Sequence, residues 1–134
     1  MSTTTSEARE AIYQRFVDNT TLVNFTLMNE KYTAPTDTMW ARVTVNHDTG
    51  EQDSLGGIGS RKFLRRGRVL IQIYDQVDNG IDELDTIAQL TRNIFEGVSF
   101  AGLYFTNVDI RETGQDGEWY QMIVDAPFDY QETK

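Results

Sequence analysis

Apolar residues recur at helical spacing in two stretches of the chain. Near the N-terminus, Ala8, Ile12 and Phe16 are separated by four residues each, so they fall on one stripe of a helix. This pattern predicts a first helix from about Ser6 to Asp18. A second stripe of the same period predicts a helix from about Ile81 to Glu96.

Elsewhere the apolar residues alternate with polar ones, which is typical of strands with one face in a core. Such alternation predicts strands over Trp40–Asn46, Phe63–Tyr74, Leu103–Glu112 and Glu118–Phe128, with a possible short strand at Phe25–Met28. The 134 residues suit one domain. We therefore expect an α+β fold, with a mixed or mostly antiparallel sheet of about four strands and two helices packed on one face.

Charge is distributed unevenly along the chain. The formal net charge is −9, yet no acidic residue occurs between Ser54 and Tyr74. This acid-free window holds five of the 12 basic residues, and the rest of the chain carries all 21 acidic ones. We expect a cationic segment on an anionic body, which would attract a second copy or another acidic protein.

The same window begins with a glycine-rich stretch, Gly56–Gly59, which predicts a long arm over about residues 48–67. The arm would be mobile and would dock on a protein through arginine donors and an apolar anchor. The alternatives are a solvated strand flank and a nucleic-acid-binding site. The net negative charge of the chain disfavours nucleic-acid binding. The candidate interface residues are Arg61, Lys62, Phe63, Arg65, Arg66 and Arg68.

The sequence offers little material for catalysis. There is no cysteine, and the single histidine, His47, stands beside a predicted turn at Asp48–Gly50, where we expect it to be exposed. A serine elbow at Gly97–Ala101 has its flanking elements in the wrong order, and a calcium loop at Asp75–Gly80 lacks the required ligands. We expect no catalytic, cofactor-binding or metal-binding residue, hence no enzyme.

Two kinds of targeting signal are not recognisable in the sequence. No apolar run approaches the roughly 20 residues that span a bilayer, so we expect no membrane partner. The segment Met1–Ser6 lacks the basic and apolar regions of a secretory signal. We expect the protein to fold in a reducing cytoplasm.

From about Ala8 to Gln131, the order of several strand and turn motifs resembles the small tail terminator proteins of long-tailed bacteriophages. The motifs are Met39–Val45, Gln52–Gly56, Gly59–Phe63, Arg65–Val69, Ile94–Gly97, Gly114–Tyr120 and Pro127–Tyr130. The resemblance implies one terminator-like domain over residues 1–134, without enzymatic activity or cofactor.

The resemblance also implies an assembly. Six copies would form a ring that caps the tail tube, stops its growth and presents a docking face to neck or head-completion proteins. The ring would sit at the head-proximal end of the virion tail after assembly in the bacterial cytoplasm, and DNA would only pass through its lumen. A neck or head–tail joining protein is the first alternative. An acidic protein-binding or nucleic-acid-binding adaptor is the second.

Overall fold

A computed structural model describes residues 3–22, 24–27, 33, 38–77 and 80–134. Two helices and seven strands follow one another within these residues. They are α1 (Thr5–Asn19), β1 (Phe25–Thr26), β2 (Trp40–Gln52), β3 (Lys62–Gln76), α2 (Asp82–Phe95), β4 (Ser99–Phe100), β5 (Leu103–Phe105), β6 (Asp109–Asp116) and β7 (Trp119–Thr133).

The strands form one mixed sheet of seven in the described part of the chain. Their order is β1-β2-β3-β7-β5-β4, and β6 also pairs with β7. The β1–β2 pair is parallel and the other pairs are antiparallel. The prediction of about four strands is therefore wrong. Of the possible strand at Phe25–Met28, β1 covers two residues, and Met28 lies outside the described residues.

One of the missed strand boundaries has an identifiable cause. The predicted strand Leu103–Glu112 is divided into β5 and β6, because the backbone between them bonds to the end of α2 instead of continuing along β7. The amide of Val108 donates to the Glu96 carboxylate at 3.1 Å, and the Val108 carbonyl accepts from the Arg92 side chain at 2.8 Å. The amide of Gly97 donates to the Thr106 carbonyl at 2.9 Å.

Both helices are confirmed, with ends within one residue of the prediction. A capping box begins α1: the Thr4 hydroxyl accepts from the Glu7 amide, and the Glu7 carboxylate accepts from the Thr4 amide. The stripe Ala8, Ile12 and Phe16 is fully buried, as its spacing predicts.

The core lies between the helices and one face of the sheet. Alternate positions of the three central strands are buried there and meet in register, as in the row Val43, Ile71 and Val124. Both helices contribute to the same cluster. The intervening positions, such as Arg42, Leu70 and Asp125, lie on the other face of the sheet, called the opposite face below.

Candidate functional site

The predicted arm is largely regular β-structure. Strands β2 and β3 extend beyond the core as an antiparallel hairpin, and the end of β7 pairs with β3 as far as Thr133, opposite Lys62. The predicted turn at Asp48–Gly50 is a shift of register within the hairpin. Only residues 53–61, called the hairpin loop below, connect the two strands.

The base of the hairpin loop is held by hydrogen bonds. The amides of Asp53 and Ser54 donate to the Lys62 carbonyl at 2.7 and 3.2 Å. The Lys62 amide in turn donates to the Ser54 hydroxyl at 3.1 Å, and the Ser60 amide donates to the Gly57 carbonyl at 3.0 Å. These bonds fix the position from which the glycine-rich tip projects.

Two large aliphatic side chains lie at that tip in full contact with water. Leu55 is 95% exposed and Ile58 is 92% exposed. Burying such a side chain is worth about 1.5–3 kcal/mol, so exposing two of them on one short loop forgoes that stabilisation. Isolated surface apolar residues are ordinary, but a projecting pair is typical of a contact surface. The predicted apolar anchor was Phe63 or Leu64, and this pair was not predicted.

The predicted interface residues are arranged differently from a free cationic arm. Arg61 ends the hairpin loop and the other five lie on β3. Three arginines pair with carboxylates of the same chain: Arg65 with Glu132 at 3.1 Å, Arg66 with Glu51 at 3.3 Å, and Arg68 with Asp48 at 3.4 Å and Asp125 at 2.8 Å. Much of the positive charge is thus neutralised within the chain.

Phe63 is surrounded by positive charge. The Arg61, Arg65 and Lys134 side-chain cations lie 5.7, 5.1 and 5.4 Å from its ring centroid. The Arg61 Nε also donates to the Lys134 carbonyl at 3.0 Å. Lys62 is exposed and makes no ion pair with a described residue. Arg61 and Lys62 are therefore the cations of this segment with no carboxylate partner among the residues described.

A buried carboxylate lies on the opposite face. Asp125 is 4% exposed by its side chain and accepts hydrogen bonds from both Arg68 and Arg111, which are 39% and 56% exposed. This cluster was not predicted, because Arg68, Arg111 and Asp125 come together only when β3, β6 and β7 pair. Alternation places Met122, Val124 and Ala126 on the core face and Asp125 on the opposite face, so the sequence pattern gave no sign that Asp125 is buried.

His47 is half-buried in β2. The prediction that it is an exposed turn residue is therefore wrong. Its Nε2 lies 2.8 Å from the Tyr130 hydroxyl, and its ring meets Phe128 edge-on. Burial lowers the pKa of His47 below its ordinary value of 6.5, and nearby Arg9 lowers it further, against a smaller upward effect of Asp48. His47 therefore packs against Phe128 and Tyr130, and its lowered pKa favours the neutral ring.

A groove of about 990 Å³ separates α2 from β6. Half-buried Leu90 and Ile110 supply its apolar lining, while Asp85 and Glu112 contribute exposed carboxylates. Neither carboxylate makes an ion pair with a described residue. The first turn of α2 carries Asp82, Glu83 and Asp85. Arg92 also lines the groove but pairs with Glu96 at 3.6 Å, so the groove combines apolar and polar lining with a border whose unpaired charges, among the residues described, are negative. It is called the α2–β6 groove below.

The described residues contain no group of three or more metal-ligating side chains placed to hold an ion. Neither described helix has the length and hydropathy needed to cross a membrane.

Comparison with known proteins shows the fold alone. No protein-family model matches the chain, and no curated protein does. One matching solved structure, which carries only a serial designation, is 16% identical and covers 95% of both chains with a TM-score of 0.69. At that identity the similarity shows a shared architecture and no activity.

Proposed function

We propose that this chain is a structural subunit that closes the tail tube of a long-tailed bacteriophage, in a ring made with copies of itself. The resemblance in motif order from Ala8 to Gln131 supports this role. The observation that carries it is the hairpin loop, which presents exposed Leu55 and Ile58 from a base held by hydrogen bonds.

The distribution of charge supports association between copies. The hairpin keeps two cations, Arg61 and Lys62, without carboxylate partners among the described residues. The first turn of α2 and the α2–β6 groove carry exposed carboxylates on the same chain. Two different surfaces that attract each other make a heterologous contact, and such a contact forms a ring when its repeated rotation closes. The tail tube and a neck protein are the proposed further partners.

The test is to disrupt the coding sequence in the phage that carries it and to measure tails by electron microscopy. Loss of a terminator should give tubes that exceed the normal length, because nothing stops subunit addition. Loss of a neck protein should instead give tails of normal length beside unattached heads, which would favour the first alternative. Normal, attached tails would contradict both roles.

Native mass spectrometry of the purified chain complements that test. A species of about six subunits supports the ring that the resemblance implies. If the free chain is a monomer, the ring must close on the tube. Isolated tails are then labelled for this chain and viewed by electron microscopy, where label at one end only is expected. Uniform labelling along the tube would contradict a terminating role.

A further inference from the structure

The exposed tip of the hairpin loop has a matching surface elsewhere on the chain. We infer that Leu55 and Ile58 of one copy seat in the α2–β6 groove of the next copy, with Lys62 facing the carboxylates of Asp85 and Glu112. This inference rests on the proposed ring and identifies the two surfaces that build it. The occupant of the groove is thus a second copy of this chain.

The apolar components correspond in character and size. Leu55 and Ile58 are almost wholly exposed, and half-buried Leu90 and Ile110 line the groove. A volume of about 990 Å³ accommodates two aliphatic side chains with part of their backbone. Contacts that exclude water around a few apolar anchors supply most of the energy in protein interfaces.

The charges correspond in sign. Lys62 borders the hairpin loop, and its ammonium group makes no ion pair with a described residue. Asp85 and Glu112 border the groove and are likewise without ion pairs among the residues described. Complementary charges at the edge of a contact fix its orientation and speed its formation.

The position of the two surfaces requires a second copy. The hairpin continues β2 and β3, whereas the groove borders β6, and β7 lies between β3 and β6 in the sheet. Hydrogen bonds hold the base of the loop, and a Cβ added at Gly57 or Gly59 would meet no atom within 4 Å. The loop tip therefore projects away from its own chain. The hairpin loop and the α2–β6 groove lie on different parts of one subunit, which gives the head-to-tail contact that a ring needs.

A charge exchange tests the contact. Lys62→Glu and Glu112→Lys, each alone, should raise the concentration for half-assembly by at least about tenfold, because each places like charges opposite each other. The chain with both substitutions should recover part of the lost assembly and assemble better than either single variant, since positions 62 and 112 again carry opposite charges while Asp85 faces a carboxylate. Failure of the double variant to recover, with a melting temperature equal to wild type, would overturn the inference.

Cysteine pairing provides a second, independent test, because the native chain has no cysteine. The variant Ile58→Cys/Gln89→Cys should give a ladder of cross-linked chains on oxidation, since Gln89 borders the groove. The matched control Ile58→Cys/Val17→Cys places the second thiol in a different groove, beside α1. A ladder from the control and none from the test pair would overturn the proposed acceptor. A cross-link within one chain would do the same.

The hairpin contact and the terminator role can be contradicted separately. Both tests are read on free rings or, where the free chain is a monomer, on isolated tails. Capped tails of normal length without the Ile58–Gln89 cross-link would leave the terminator role intact and remove the hairpin contact. Tails that need no copy of this chain would remove the terminator role itself.

Discussion

The Arg68 guanidinium donates to Oδ2 of Asp125 at 2.8 Å on the opposite face of the sheet. Arg111 donates to the same carboxylate from β6. The Asp125 side chain is almost wholly buried, whereas each arginine is partly exposed. A desolvated carboxylate therefore lies between two partly hydrated guanidinium groups. The cluster joins β3 to the consecutive strands β6 and β7.

Replacing Arg68 and Arg111 together by alanine should lower the free energy of unfolding by about 1–3 kcal/mol. The change leaves the Asp125 carboxylate buried without a counter-charge, and the loss is smaller than for a fully buried pair because both arginines contact water. Urea denaturation of wild type and variant measures the difference. Arg66→Ala is the matched control, because its pair with Glu51 is about half exposed on both sides and should cost less than about 1 kcal/mol. Equal losses would contradict the assignment.

Gly67 is required for space and not for its backbone angle. A Cβ there would lie 2.4 Å from the Asn46 carbonyl oxygen and 2.8 Å from the Phe128 ring. Gly67→Ala should therefore destabilise the fold by about 1–3 kcal/mol, since the backbone atom cannot move without disturbing β2. The control is Gly57→Ala, where an added Cβ meets nothing within 4 Å, and thermal unfolding should be unchanged.

The stability of the protein should depend on the protonation of His47. The pKa is lower in the folded state than the ordinary value of 6.5, because burial and Arg9 disfavour the charged ring. The unfolded chain therefore binds the proton first, so the contribution is present above pH 6.5 and is lost as pH falls below that value and through the lower pKa of the folded state.

His47→Gln should flatten the stability profile between about pH 7 and 5, as measured by urea denaturation at each pH. Comparison with wild type cancels the carboxylates, and the chain has no other histidine. An unchanged pH dependence of stability in His47→Gln would show that the pKa of the His47 imidazole is the same in the folded and unfolded chain.

The two helices and the central strands were predictable because their signals are local. Four-residue spacing identified α1 from Ala8, Ile12 and Phe16, and period-two alternation identified the buried faces of β2 and β3. The break between β5 and β6 was not predictable, since it depends on the Glu96 carboxylate accepting from the Val108 amide, 12 residues farther along the chain. A hydrogen bond between a side chain and a backbone amide of another segment leaves no trace in the hydrophobic pattern of either segment.

The candidate site was only partly predictable for the same reason. Clustering of positive residues drew attention to the hairpin, but the partners of Arg65 and Arg66 follow from the alignment of β3 with β7 and β2. Without that alignment the sequence could not separate internally paired cations from Lys62. Composition also drew attention to charge, whereas the exposed Leu55 and Ile58 become visible only in three dimensions.

Charge reversal within the basic segment should therefore have two distinct effects. Arg61→Glu with Lys62→Glu should weaken assembly with only a small loss in melting temperature, because Lys62 makes no ion pair with a described residue and Arg61 loses one exposed hydrogen bond and its contact with the Phe63 ring. Wild-type assembly should also weaken as salt is raised from about 0.05 to 0.5 M, since exposed charges are screened within about 10 Å or less. Arg65→Glu should instead lower the melting temperature, because it places two carboxylates together at Glu132. Unchanged ring formation and unchanged tail joining in the Arg61→Glu/Lys62→Glu variant would exclude these cations from the mechanism.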